Sequence, residues 1–97
     1  MKKGYWVVVY RSISDESALR AYAALAGPAL KALGARLLTS SGSQVEPREA
    51  GLQLRVVVVE FDSYAAASAA YQNEAYQKAL RALGSGAERD FRIVEGV

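Results

Sequence analysis

The sequence predicts an α+β fold: one four-stranded antiparallel sheet with two helices on one of its faces. Three observations carry this reading. Residues 5–10 (Tyr-Trp-Val-Val-Val-Tyr) and 54–59 (Leu-Arg-Val-Val-Val-Val) are β-branched and aromatic runs. Two Ala- and Leu-rich segments with helical spacing alternate with the strand candidates. The two runs are apolar at consecutive positions, although a strand shows alternate side chains to opposite sides of its sheet. A sheet with helices on one side needs only one apolar face. The second apolar face therefore needs a cover of its own, and a second copy of the chain is the natural one.

The elements follow in order. Gly4 precedes the first run and Arg11-Ser12 ends it. Ser14-Asp15-Glu16 then offers a side-chain acceptor for the free N–H groups of a helix start, with acids at its positive end. Leu19, Tyr22, Ala26, Leu30 and Leu33 fall three or four apart and make one apolar stripe. Gly27-Pro28 interrupts this helix and predicts a kink or two abutting helices, with Gly34 closing it. Residues 35–46 form a second strand candidate with a bulge or bend near Gly42, and 47–51 form a charged turn. Residues 52–61 are the third strand. Ser63 caps a second helix reaching to about Leu83, with Tyr64, Ala67 and Tyr71 on one face and a local break at Asn73. Residues 89–95 alternate, with Phe91 and Ile93 on one side and Arg92 and Val94 on the other, which makes a final strand.

The order β-α-β-β-α-β over 97 residues is one domain, residues 1–97, and two such βαβ halves build a ferredoxin-like sheet. Right-handed crossovers put the first and third strands in its centre. Those are the two runs that are apolar on both faces, so topology and hydrophobic pattern agree.

Composition narrows the chemistry. Apolar residues are 52% of the chain, enough for a core. There is no cysteine, which excludes disulfides, thiol catalysis and thiolate-bound metals. There is no histidine, which removes the commonest general base and metal ligand. No metal site and no cofactor are expected. The net charge is only +2, and no run of four basic residues occurs, so no nucleic-acid partner is expected. No stretch approaches the roughly 18 apolar residues of a membrane span. The run behind Met1-Lys2-Lys3 is shorter than the roughly 7–15 residues of a signal sequence core. A cytoplasmic location is the expectation, with no membrane partner.

Several residues stand out as ligand-binding candidates. Arg55 lies on the side of Val57, Val59 and Phe61 within a central strand, where an unpaired charge is costly. It pairs with Glu46, Glu60, Glu95 or Asp90, or it clamps a carboxylate ligand with its planar fork. Arg36 is a second candidate, and is otherwise a solvated or paired charge. Tyr22 and Tyr71 sit on apolar helical faces, where they pack in the core or line a cavity between helices and sheet. Trp6 and Tyr10 share one face of the first strand with Val8, while Tyr5 and Val7 lie on the other. One of these sets meets a partner protomer or a ligand, and interface packing is the expected role. Glu60 and Asp90 are the candidate proton acceptors, a role that requires a raised carboxylate pKa.

The chain also resembles a known family. Gly4-Tyr5-Trp6, Pro28 followed by Gly34-Ala35-Arg36, the stretch Arg55 to Phe61, Ala67, Tyr71 to Tyr76, Arg81, and Ile93-Val94-Glu95-Gly96 stand in the order and spacing of domain-of-unknown-function family 1330. That family is a branch of the dimeric α/β-barrel superfamily. The chain departs from the family pattern at Ala35 (usually Gly), Ala70 (often Trp) and Glu74 (often Pro). The resemblance covers almost the whole chain. It implies a ferredoxin-like protomer that pairs sheet to sheet as a homodimer, and it implies no assigned activity. The functional expectation is a small organic molecule bound in a pocket between sheet and helices. The alternatives are a cofactor-independent monooxygenase- or isomerase-like enzyme acting on a small aromatic or carboxylate substrate, and a structural or protein-interaction module.

Overall fold

The computed structural model describes residues 1–97. It contains β1 (Gly4–Ile13), α1 (Glu16–Ala32), β2 (Arg36–Leu37), β3 (Val56–Phe61), α2 (Tyr64–Gln72), α3 (Glu74–Leu83) and β4 (Ala87–Glu95). The sheet order is β2-β3-β1-β4 with every pair antiparallel, so β1 and β3 are central. This is the ferredoxin-like arrangement. The second helix is divided in two at Asn73. No helix is long and apolar enough to cross a membrane.

Local chemistry explains the boundaries. The Asp15 side chain accepts the Ala18 N–H and starts α1. The helix ends with the Gly34 N–H on the Lys31 carbonyl and the Ala35 N–H on the Leu30 carbonyl, with Gly34 at φ +76°. That left-handed position suits glycine. Between these ends α1 is one helix and not two. Pro28 and Ala24, whose carbonyl loses its N–H partner, both lie on the exposed side, where water serves the freed oxygen. Ser63 caps α2 through the Ala66 N–H. Asn73 ends α2 and also starts α3, accepting from the N–H groups of Ala75 and Tyr76. The anticipated break thereby fixes where Tyr76 enters the core.

Strand β2 is far shorter than the 35–46 predicted for it, and β3 begins at Val56 and not at 52. Thr39 is the physical reason. Its hydroxyl donates to the Val56 carbonyl and accepts the Val58 N–H, so a side chain takes over the ladder where β2 would continue. Strand β4 starts two residues earlier than expected, and its pairing with β1 shifts register between Tyr10 and Ser12.

The helices cover one face of the sheet, and the core lies between. Trp6 is its centre, 1% exposed. Its indole N–H donates to the Ala67 carbonyl at 2.8 Å, and the rings of Phe61, Tyr76 and Phe91 lie about 5 Å away at tilted or edge angles. Helix α1 packs chiefly on α3, with alanines 29 and 79 buried. The other sheet face carries Tyr5, Val7 and Val9 from β1 and Val56 and Val58 from β3, all half-buried with no element over them. Trp6, Val8 and Tyr10 are the helix-facing set. Their expected interface packing is thus corrected to core and cavity packing, because the strand's alternation turns them away from the open face.

Gly4 is fixed by a close approach. A Cβ there would lie 2.7 Å from the Tyr64 Cα, at the start of α2, with the Ser63 carbonyl nearer still. Both obstacles are backbone and cannot rotate away. Gly4→Ala is expected to destabilise the fold by about 1–3 kcal/mol, as overpacking does. Thermal denaturation should show a midpoint lower by roughly 5–15 °C. An unchanged midpoint would mean that the β3–α2 corner shifts freely.

Candidate functional site

A cavity of about 200 Å³ lies between α1 and the sheet. The sequence creates it by omission. Where α1 crosses the central strands it presents Ala23, Ala26 and Gly27, and small residues leave the space unfilled. The floor is apolar: Trp6 and Val8 from β1, Val57 and Val59 from β3. Leu19 and Leu30 of α1 close the sides, and Leu37 of β2 with Ser40 and Ser41 beyond it stand at the rim.

The polar groups gather at one end, around Tyr10. The Arg55 guanidinium lies 5.6 Å from the centre of the Tyr10 ring and that of Arg89 lies 5.7 Å from it. Arg89 also covers the Tyr22 ring at 4.8 Å and donates to the Tyr22 hydroxyl at 3.1 Å. Tyr22 and Tyr76 share a hydrogen bond of 2.8 Å. Burial pushes the hydroxyls of Tyr10 and Tyr76 above the ordinary tyrosine value, so both stay neutral.

Neither arginine is hydrogen-bonded to a carboxylate. The nearest acid to Arg55 is Glu16, at 3.8 Å across the start of α1. This corrects the four acids proposed for it. Arg55 precedes β3 on the helix side, beside the N-terminus of α1. Glu60 and Asp90 lie on the opposite face, opposite Tyr5 and Val9 in the register, and Glu46 pairs with Arg48. Glu95 is opposite Gly4, at the far end of the sheet from Tyr10.

Of the six candidates, Arg55, Tyr22, Trp6 and Tyr10 line the cavity. Arg36 does not. It lies opposite Glu60 in the β2–β3 register, donating to Glu60 at 2.8 Å and to Asp62 at 3.1 Å, away from the helices. Tyr71 does not either. It sits on α2, over the sheet rather than under α1, and packs edge-on against Phe91 with centres 5.2 Å apart.

Arg89 is the cavity residue that the sequence reading missed. The signal was present, since Arg89 has the same strand parity as Phe91 and Ile93 and so had to face the helices. The buried Tyr76 hydroxyl was missed as well, because only the break at Asn73 aims it at Tyr22.

The acids considered as proton acceptors are unsuited to that task. Glu60 is held below the ordinary carboxylate range, first by the Arg36 hydrogen bond and then by that of Tyr5. Asp90 is held down by its hydrogen bonds from Arg92. No Asp or Glu lines the cavity, and no three acids converge where a metal ion would sit. The site can therefore hold an apolar body and donate to an acceptor-rich group at its Tyr10 end.

Solved structures share this architecture. Two crystal structures of the RPA0582 protein, one of the methylated protein and one of the protein of unknown function from Rhodopseudomonas palustris, align with TM-scores of 0.76 and 0.71 at 18% and 20% identity. The alignments cover 99% and 97% of this chain and 82% and 80% of theirs. An ethyl tert-butyl ether D (EthD) family protein from Bacillus halodurans aligns over 100% of both chains with a TM-score of 0.57 and 10% identity. These similarities establish the fold, that of the dimeric α/β barrels. No curated protein matches the sequence. The sequence profile described as Domain of unknown function (DUF1330) matches residues 3–97, and the chain belongs to that family.

Proposed function

We propose that this domain binds a small organic anion, an apolar ring or chain ending in a carboxylate, in the cavity between α1 and the sheet. One observation carries the reading: Arg55 and Arg89 flank one tyrosine ring at the end of an apolar cavity, and no carboxylate hydrogen-bonds to either. Guanidinium only donates, and its fork matches a carboxylate. The one acid near them, Glu16, stands 3.8 Å from Arg55 outside the cavity lining, so an anionic ligand supplies acceptors that the cavity itself lacks. The size agrees. An apolar cavity of roughly 150 Å³ holds benzene, so about 200 Å³ holds a ring with a carboxylate.

Isothermal titration with benzoate tests this. Saturable binding is expected, and Arg55→Met and Arg89→Met are each expected to weaken it by about tenfold or more. A hydrogen bond to a charged group is worth about 1.5–3 kcal/mol, and about 1.4 kcal/mol is tenfold in affinity. Absence of saturable binding by the unaltered protein of both benzoate and short alkyl carboxylates into the millimolar range would refute the reading.

We infer also that a second copy of the chain covers the open sheet face. Tyr5, Val7, Val9, Val56 and Val58 form one apolar surface across the two central strands, the kind of patch that marks an interface. The family's dimeric α/β-barrel fold supports the same assembly.

A further inference from the structure

We infer that Tyr22 is the fixed hydrogen-bond donor of the cavity, its proton turned toward the ligand by two donors that fill its oxygen from behind. This inference rests on the anion-site reading and adds the residue that selects the ligand's chemistry.

The argument is an accounting of protons. The Tyr22–Tyr76 bond is compatible with either hydroxyl as donor. Tyr76 is 0% exposed, and of the groups at its hydroxyl, Tyr22 and the donor-only Arg89, only Tyr22 can accept a proton. Were Tyr22 the donor, the Tyr76 proton would point into the core with no acceptor, an unmade bond that burial makes expensive. Tyr76 therefore donates to Tyr22. Arg89 has only donors, so its contact with the Tyr22 oxygen also runs toward Tyr22. The Tyr22 oxygen thus accepts twice, and its own proton has no acceptor in the protein. Tyr22 is half-buried on the cavity wall, and the cavity is the side left open to that proton.

The consequence is a filter on ligand chemistry. Arg55, Arg89 and Tyr22 all offer donors at the Tyr10 end of the cavity, and no carboxylate lines the cavity to accept, Glu16 standing outside it 3.8 Å from Arg55. A carboxylate satisfies them, with one oxygen on the Tyr22 hydroxyl. A carboxamide of the same shape supplies one acceptor and brings an N–H₂ that faces donors. An amine supplies no acceptor at all. Affinity should therefore fall from benzoate to benzamide to benzylamine.

Two experiments test this separately from the site itself. Neutron diffraction of the deuterium-exchanged, ligand-free protein should place the Tyr76 deuterium on the line to the Tyr22 oxygen and the Tyr22 deuterium toward the cavity. A Tyr22 deuterium aimed at Tyr76 overturns the inference. Titration of Tyr22→Phe with benzoate should show about tenfold weaker binding, while toluene binding changes less than twofold. Tyr76→Phe leaves the Tyr22 proton free and should keep benzoate binding within about threefold. Equal losses for benzoate and toluene in Tyr22→Phe would mean a packing role and overturn the inference. If the unaltered protein binds no benzoate, the anion site fails and Tyr22's role toward a ligand fails with it, whichever deuterium order is found. Benzoate binding that Tyr22→Phe leaves intact overturns the role of Tyr22 alone.

Discussion

Trp6→Ala is expected to bring the fold to the edge of unfolding. The indole is the centre of the aromatic cluster, with the rings of Phe61, Tyr71, Tyr76 and Phe91 packed around it. Truncating a buried Trp or Phe to Ala costs about 3–5 kcal/mol in lost transfer energy and residual cavity. Trp6 also supplies the hydrogen bond to the carbonyl of Ala67, which is itself 0% exposed. The Ala67 carbonyl keeps its place in the α2 ladder, so losing the indole bond adds about 0.5–1.5 kcal/mol. Domains of this size hold about 5–15 kcal/mol in all. At about 4–8 °C per kcal/mol, the melting midpoint should fall by at least 15 °C, or the cooperative transition should vanish from circular dichroism. Trp6→Phe keeps a ring and gives up the N–H, so a smaller loss is expected. An alanine variant melting within a few degrees of the unaltered protein would contradict this account of the core.

Val58→Glu and Val59→Glu are expected to fail in different ways although they are neighbours. Val58 lies opposite Val7 on the open face, whereas Val59 is 2% exposed beneath the helices. A glutamate at 59 places an unpaired charge against Trp6 and Phe61, and the protomer should not fold. A glutamate at 58 remains in water while the chain is alone. It is buried only when a second sheet arrives, so the protomer should keep its near-ultraviolet circular dichroism and lose its partner. A standard interface hides roughly 800 Å² on each side, and an uncompensated charge at its centre costs several kcal/mol. Light scattering at micromolar concentration should report a dimer for the unaltered chain and a monomer for Val58→Glu. A monomeric unaltered chain, or a Val58→Glu protein that stays dimeric, would refute the pairing through this face.

The sheet was legible because its signals are local and strong. Period-two parity separates Trp6, Val8 and Tyr10 from Tyr5, Val7 and Val9 with no tertiary information. The same is true of Asn73, whose short side chain competes with the helix and starts a new one. What escaped the sequence depends on neighbours distant in the chain. Thr39 shortens β2 only because Val56 and Val58 lie beside it. Tyr71 and Tyr22 look alike on their helical faces, and only the placement of α1 over the small-residue gap decides which one meets the cavity. Arg55 was legible as a charge in need of a partner. Its partner was not, since the sequence does not reveal that the start of α1 stands beside the start of β3.

The connection over residues 38–55 is where the cavity lining can vary without altering the scaffold. It carries no helix or strand, yet it sets Ser40 and Ser41 at the cavity rim and ends in Arg55. Doubling the length of such a loop costs only about 0.6 kcal/mol in closure entropy. Apart from Thr39 and Leu54, the Trp6 core and the central strand pair are built from other segments. Sequence drift in this one connection would therefore reshape the rim and the charge at the Tyr10 end, including that of the anion site proposed above, while the scaffold stays the same. If the proposed anion site holds, selectivity would change there before the architecture does.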